Sequence, residues 1–403
     1  MKKTGTSADY LQSFECTGSA CEDTCCHGWG VNIDKRTFEK YKELPDKKWK
    51  RSLTQHISRN KYETTFSSYA MIKMADSGYC PFLNNDRLCS IQLSLGNSYL
   101  SRTCASYPRQ MNKVYDRYET SAAVSCPEVA RLTLLNPDGL SFSPTPMEVE
   151  KNPLVDKLVE DAGFANTFEE IRGFIIALLQ KRNHSITTRL LLLGFFVKDL
   201  EAAIEEDGDE PILRTLTHWQ SIIADKDLAK KMAALPTSPP EQFQILFSIV
   251  EDYLEHTDVT SQRYLQHYQE WAEGTEYDVE NYQKAYEQYF QPFFREHDYI
   301  LENYLVHYVF SQLFPFSLLG ESFYADYVVL VLHYALIRFH LIGLAAYHQG
   351  LTPELITSLV YSFARTYDHD SGFFKDTLAH LREQKWDTIA YMSILIENEK
   401  LAR

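Results

Sequence analysis

Eight cysteines, all between Cys16 and Cys126, are the residues best suited to chemistry in this chain. Cys16, Cys21, Cys25 and the adjacent Cys26 stand in CTGSACEDTCC, and Cys80, Cys89, Cys104 and Cys126 form a wider-spaced second set. The 277 residues that follow contain none. Thiols confined in this way point to a shared inorganic partner or a disulfide framework. Adjacent Cys25 and Cys26 favour the metal, because neighbouring Cα atoms lie about 3.8 Å apart and a bridge between them is strained. The N-terminus, MKKTGTSADYLQSFEC, has no apolar stretch of a secretory leader. A cytoplasmic chain with reduced thiols is therefore expected, and clustered thiols there serve metal or redox chemistry.

The spacing does not name the metal. There is no CxxC pair of the kind structural zinc prefers. The Cys-x3-Cys-x2-Cys pattern of adenosylmethionine radical enzymes is also missing: Cys21 and Cys25 supply the first pair, but position 28 is Gly28. Thiolate sulfur suits zinc and iron–sulfur clusters alike. All eight cysteines are candidate ligands. The expectation is one four-cysteine cluster drawing on both groups, with the others packed around it. His27, directly after Cys26, is a candidate substitute ligand.

Polar residues near the cysteines suggest what such a centre would serve. Glu22 and Asp23 lie between Cys21 and Cys25, and Tyr107 and Arg109 follow Cys104. Each has a plain structural reading too: an exposed turn or helix start for the two acids, an ion pair for Arg109. Tyr367, Asp368, His369 and Asp370 gather after a helix expected to end near Arg365, where a histidine is more often a dipole partner than a catalyst.

The elements that must position these residues follow from composition shifts. With 403 residues, 44% hydrophobic and 24% charged, the chain is of ordinary globular type and long enough for two or three domains. A cysteine-rich module over 1–140 mixes loops with short helices such as Lys35–Leu44, capped by Asp34. Ser141-Phe-Ser-Pro-Thr-Pro146, with Pro153 beyond, marks a boundary. Apolar positions Phe174, Ala177 and Leu178, then Leu190, Leu193 and Val197, recur at helical steps within a middle segment, 153–235. Loops are expected at Glu205–Glu210 and Leu235–Pro240. Residues 241–403 read as helices, with Pro292, Pro315 and Pro353 at starts or breaks. The fold class is thus mainly α, with an N-terminal cysteine-rich metal-cluster module packed on a larger helical region. Tyr327–Tyr347, the nearest approach to a membrane span, is interrupted by His333, Arg338 and His340 and reads as a buried helix.

Charge divides along the same line. Residues 1–150 carry a balance of +2 and residues 151–403 one of −17. The acidic part argues against nucleic acid. It suits a lysine-bearing protein partner, or simply keeps the chain soluble. Fifteen of the 26 tyrosines lie between Tyr253 and Tyr361. Tyr264 and Tyr268, and Tyr282, Tyr286 and Tyr289, have helical spacing, as aromatic core or as a channel gripping a lysine by cation–π contact.

The segments CTGSACEDTCCHGWGVNIDKRTFEKY, CPFLNNDRLCSIQLSLGNSYLSRTCASYPR and SCPEVARL resemble the flagellin lysine-N-methylase family. So do LENYLVHYVFSQLFPF, YVVLVLHYALIRFHLIGLA and YSFARTYDHD, so the resemblance covers most of the chain. The first half also resembles the broader family of zinc- or iron-chelating cysteine-cluster proteins. The methylase resemblance implies a [4Fe–4S] cluster, S-adenosylmethionine as donor and flagellin lysines as acceptor. On that reading Asp23 and Tyr107 are the catalytic candidates for proton removal, and Glu22 and Arg109 the donor-binding ones. No Gly-rich turn of the usual α/β methyltransferase is present, the lone G-x-G being Gly28-Trp29-Gly30. A non-enzymatic metal-binding adaptor for a flagellar or other protein is the alternative.

Overall fold

The polar N-terminus, KKTGTSA, has no apolar alternation of its own, yet it forms a central strand because two partners complete its ladder. In the computed structural model, which describes residues 2–61, 65–148, 155–160, 165–206, 208–225, 228, 232, 234–316, 321–370 and 372–398, the strands are β1 (Lys2–Ala8), β2 (Asn32–Ile33), β3 (Ile57–Arg59), β4 (Ala70–Ile72), β5 (Arg109–Val114), β6 (Arg117–Ala122), β7 (Phe142–Glu148) and β8 (Lys157–Val159). Five of them build one sheet in the order β7-β1-β6-β5-β8, and the others a small sheet, β2-β4-β3. β1 runs antiparallel to β7, with Lys2 opposite Glu148, and parallel to β6. β5 and β6 form a hairpin, and β8 lies parallel to β5 along the far edge.

Two expectations change here. The cysteine-rich stretch is not only loops and short helices, since it contributes six of these eight strands. The Ser141–Pro146 boundary is itself strand β7. Its prolines are tolerated because β7 is an edge, where missing N–H donors leave no ladder position empty. Pro153 lies outside the described residues, and the middle segment turns helical only at Phe168–Leu179.

The hydrophobic cores group the chain by contact rather than by order. A small lobe packs Val31, Ile33, Tyr41, Leu53, Ile57, Ile72, Phe82 and Ile91 around buried Cys80, with Cys26 and Cys89 against it. The Lys35–Glu43 helix of this lobe starts as expected, with the Asp34 carboxylate accepting from Thr37 N–H at 3.0 Å. Val114, Ala122, Val129 and Leu134, from the large sheet and the Pro127–Leu134 helix, belong instead to the core of the helical body, as does Phe14 just after the turn that follows β1.

That body is built around the Phe323–His348 helix, buried on every side from Ala325 to Ala345. By length and composition it could cross a membrane, but its apolar window is wholly enclosed by protein. Helices Ile186–Glu205, Gln262–Thr275, Val279–Ala285 and Ile389–Ile396 surround it. Of the helix-spaced tyrosines, Tyr264, Tyr282 and Tyr286 are buried core and Tyr268 and Tyr289 are partly buried against it. Buried ion pairs tie the layers together. Arg172 grips Glu119 of β6 through two 2.6 Å bonds, and Arg189 meets Glu302 at 2.6 Å. Losing one partner of such a pair costs about 3–5 kcal/mol, because the other charge stays buried.

The closest helix crossing is at Gly343, where an added Cβ would sit 1.9 Å from the Trp271 ring. Trp271 cannot turn away, since its Nε1–H donates to Phe339 O at 3.0 Å. Gly343→Ala should therefore cost about 3 kcal/mol or more by overpacking. Urea unfolding measures it, and an unchanged midpoint would mean the two helices can slide apart.

Candidate active site

The cysteine loop has little regular structure and is held by backbone contacts. Cys80 N–H donates to Cys26 O at 2.8 Å, and Gly28 N–H to Gly78 O at 3.1 Å, so the two cysteine groups meet. Trp29 Nε1–H donates to Cys25 O at 2.6 Å, folding its indole back over the loop. Cys25 and Cys26 share a thiol hydrogen bond, which holds the Cys25 thiol down to about 7, helped by Arg365, and drives Cys26 far up. Burial pushes Cys80 up to about 11 and Cys104 up to about 12, with the charges of Cys89 and Cys25 adding to both. Cys25 and Cys104 nonetheless keep accessible surface. Five thiols, Cys25, Cys26, Cys80, Cys89 and Cys104, thus act on one another.

Cys126 opens the Pro127–Leu134 helix, and its thiol, raised to about 11 by burial, feels Cys21. Cys16 is exposed. Among the described residues no group of three or more Cys, His, Asp and Glu is set to hold a single metal ion. The thiolates of these five cysteines are donors that suit zinc and an iron–sulfur cluster alike.

One arginine joins this loop to the helical body. Past Pro353–Phe363 the helix widens into a π turn, Ala364–Asp368, a feature common at functional sites. From it Arg365 donates to Asp23 O at 2.8 Å, Thr24 O at 3.2 Å and Ser125 O at 2.8 Å, and pairs with the Asp23 carboxylate at 2.7 Å. Thr260 adds a hydroxyl bond to Gly28 O at 2.6 Å.

Two cavities flank the junction and share Trp29, Tyr107 and His369 as a common wall. The smaller, ≈220 Å³, is lined by Glu22, Asp23, Arg87, Arg263 and Arg365, among others. This mixture of acids and arginines complements a ligand carrying both charges. The larger, ≈560 Å³, reaches into the body between Tyr304, Tyr308, His333, Asp368 and Phe374. His369 Nε2 and the Tyr107 hydroxyl both lie 3.1 Å from Ser125 Oγ, which fixes the shared wall.

Asp368 is the chemically distinctive group of the larger cavity. Its carboxylate keeps 28% of its surface accessible and lines the cavity, where the surrounding protein pushes it up to about 7 while Lys157 opposes the shift. His333 Nδ1 lies 3.6 Å from Asp368 Oδ1 and 3.0 Å from the Tyr304 hydroxyl. Burial holds His333 near 3, so it is neutral and orients its neighbours without supplying charge. The Tyr308 hydroxyl has no hydrogen-bond partner in this wall.

Residues 172–395, more than half of the chain, match the FliB lysine N-methylase C-terminal domain. The chain belongs to this family. It is 27% identical over 397 residues to the lysine-N-methylases of Salmonella choleraesuis and Salmonella typhimurium, covering 94% of this chain and 95% of each relative. It is 36% identical over 140 residues to the flagellar biosynthetic protein FliU of Salmonella muenchen, covering 34% of this chain and 82% of that protein. No solved structure matches the chain.

In this FliB-family chain all four sequence candidates border the cavities, but in unequal roles. Asp23 is held by Arg365, which engages its carboxylate in an ion pair across the junction. Burial raises the Tyr107 phenol, so it donates hydrogen bonds and stays protonated. Glu22 reaches Arg131 at 3.4 Å and lines the smaller cavity. Arg109 sits over the Phe14 ring at 4.9 Å, on the exposed rim of the larger one. His27 packs against Tyr79 with the rings tilted and their centroids 4.3 Å apart. Arg365, His333 and Lys157 were missed as site residues. The one available signal was the run of three polar residues, His333, Arg338 and His340, inside an otherwise apolar helix.

Proposed function

We propose that this protein is an S-adenosylmethionine-dependent protein-lysine N-methyltransferase acting on flagellin, with a [4Fe–4S] cluster held by four of Cys25, Cys26, Cys80, Cys89 and Cys104. The observation that carries the reading is the larger cavity, where an acid with a pKa of about 7 stands among aromatic rings. A lysine amine has an unperturbed pKa of about 10.4 and must shed a proton before it can attack. An aromatic, poorly hydrated pocket lowers that value, and a carboxylate at its end takes the proton. The lysine stem would lie along Tyr304, Tyr308 and Phe374, with its nitrogen at Asp368.

The donor suits the smaller cavity. Arg87 or Arg263 would pair with its carboxylate, and Glu22 would face its ammonium or sulfonium charge. When bound, the cluster would supply redox-active iron beside this pocket. The amine lone pair forms the N–CH3 bond as the S–CH3 bond breaks, and its electrons return to sulfur as a thioether. Trp29, Tyr107 and His369, which line both cavities, would frame the place where donor methyl and lysine amine meet and keep water from it. The −17 balance of residues 151–403 would draw a lysine-bearing partner towards the cleft.

Purified holoprotein, donor labelled in its methyl group and flagellin should yield labelled lysine in flagellin. Tight binding of flagellin with no label under any redox condition would support the adaptor reading instead. Full labelling by folded, iron-free protein would leave the cluster a structural role only.

A further inference from the structure

We infer that Lys157 is an automethylation site: its side chain projects from an edge strand into the larger cavity beside Asp368, where it stands as an internal counterpart of the substrate lysine. The inference rests on the transferase reading above. Its basis is the placement of Lys157 in β8. Successive side chains of a strand point to opposite faces. Here Leu158 is half exposed, whereas Val159 is buried in the core and Lys157 lines the cavity. A lysine on the inward face of a strand normally finds a close acid. Among the described residues the Lys157 amine forms no side-chain hydrogen bond and no close ion pair, although the charges of Asp156 and Asp368 act on it. Asp156 is already engaged, accepting from Met111 N–H at 2.7 Å. The amine is therefore left loose in the cavity that Asp368 also lines, within reach of that acid's charge.

Burial also holds the Lys157 amine below its ordinary value, which raises the nucleophilic fraction. Lys375 borders the cavity as well, but it is exposed. The step balances as for an external lysine. The Lys157 ammonium gives a proton to Asp368, its lone pair bonds to the methyl carbon of the sulfonium donor, and the C–S electron pair leaves with sulfur. Because Lys157 uses the space an incoming lysine needs, automethylation and flagellin methylation compete.

The test incubates full-length holoprotein with methyl-labelled S-adenosylmethionine, with and without flagellin, and maps label by peptide mass spectrometry. The expected result is label on the Lys157 peptide in the absence of flagellin, reduced when flagellin is added. Its first-order rate constant should not change on tenfold dilution, because donor site and acceptor share one chain. Lys157→Arg should remove that label. The same peptide should carry methyl groups in protein taken directly from its own cells, before any assay. Labelled flagellin with unlabelled Lys157 overturns the inference alone, as does label on Lys375 in its place, or a rate proportional to protein concentration. If neither flagellin nor Lys157 is labelled, the transferase reading falls and the inference falls with it.

Discussion

Asp368→Asn is expected to lower the rate of lysine methylation by about 10²–10⁴-fold, the usual worth of a positioned proton acceptor. The amide has nearly the same shape, so the cavity and its His333 contact should survive. The pH profile separates this role from mere structure. With Asp368 as base, kcat/KM should rise with pH up to its folded value of about 7 and then level off. The variant should lose that limb. Stability should move the opposite way. The folded pKa of Asp368 is raised, so the native state keeps its proton at pH values where the unfolded chain has lost it. Stability contributed by this proton is complete below about 4 and disappears as pH rises through about 7. Asp368→Asn should therefore melt higher than the parent at pH 8, with the gap closing towards pH 4. A variant with full activity and an unchanged acid limb would remove Asp368 from the chemistry.

Substituting the converging cysteines should be the other large effect. Cys80→Ser or Cys26→Ser should lose most of the bound iron and sulfide and the visible absorbance of the purified protein, and activity with them. Cys80 also sits in the core of the small lobe, where burying a hydroxyl in its place costs about 1–3 kcal/mol in addition. Iron is therefore best measured well below the melting temperature, so that ligand loss is not confused with unfolding. Cys16→Ser, at an exposed position away from that core, should retain both iron and fold. Full iron content in both Cys26→Ser and Cys80→Ser would defeat the five-thiol assignment.

Much of the helical part could be read directly. Phe174, Ala177 and Leu178 fall in one helix, and Leu190, Leu193 and Val197 in the next. Pro292 and Pro353 stand in the first turns of theirs. These are local signals, written within three or four residues. The sheet was harder. β1 is polar and takes its pattern from β6 and β7, more than a hundred residues away. The prolines of β7 looked like a linker because an edge strand and a linker tolerate the same residues.

By itself the sequence determined where the thiols lie, that helices would follow them, and that the negative charge gathers in residues 151–403. It also named TYDHD as a polar group at a helix end. Only the tertiary structure decided that Arg365 closes onto the cysteine loop from 341 residues away. The same holds for Asp368, one acid among 55 Asp and Glu in the chain. Its proton affinity comes from the protein packed around it, with Lys157 and His333 brought up by other elements. A residue's type sets its ordinary pKa, whereas desolvation and neighbouring charge set the shift, and both depend on contacts between elements far apart in the chain.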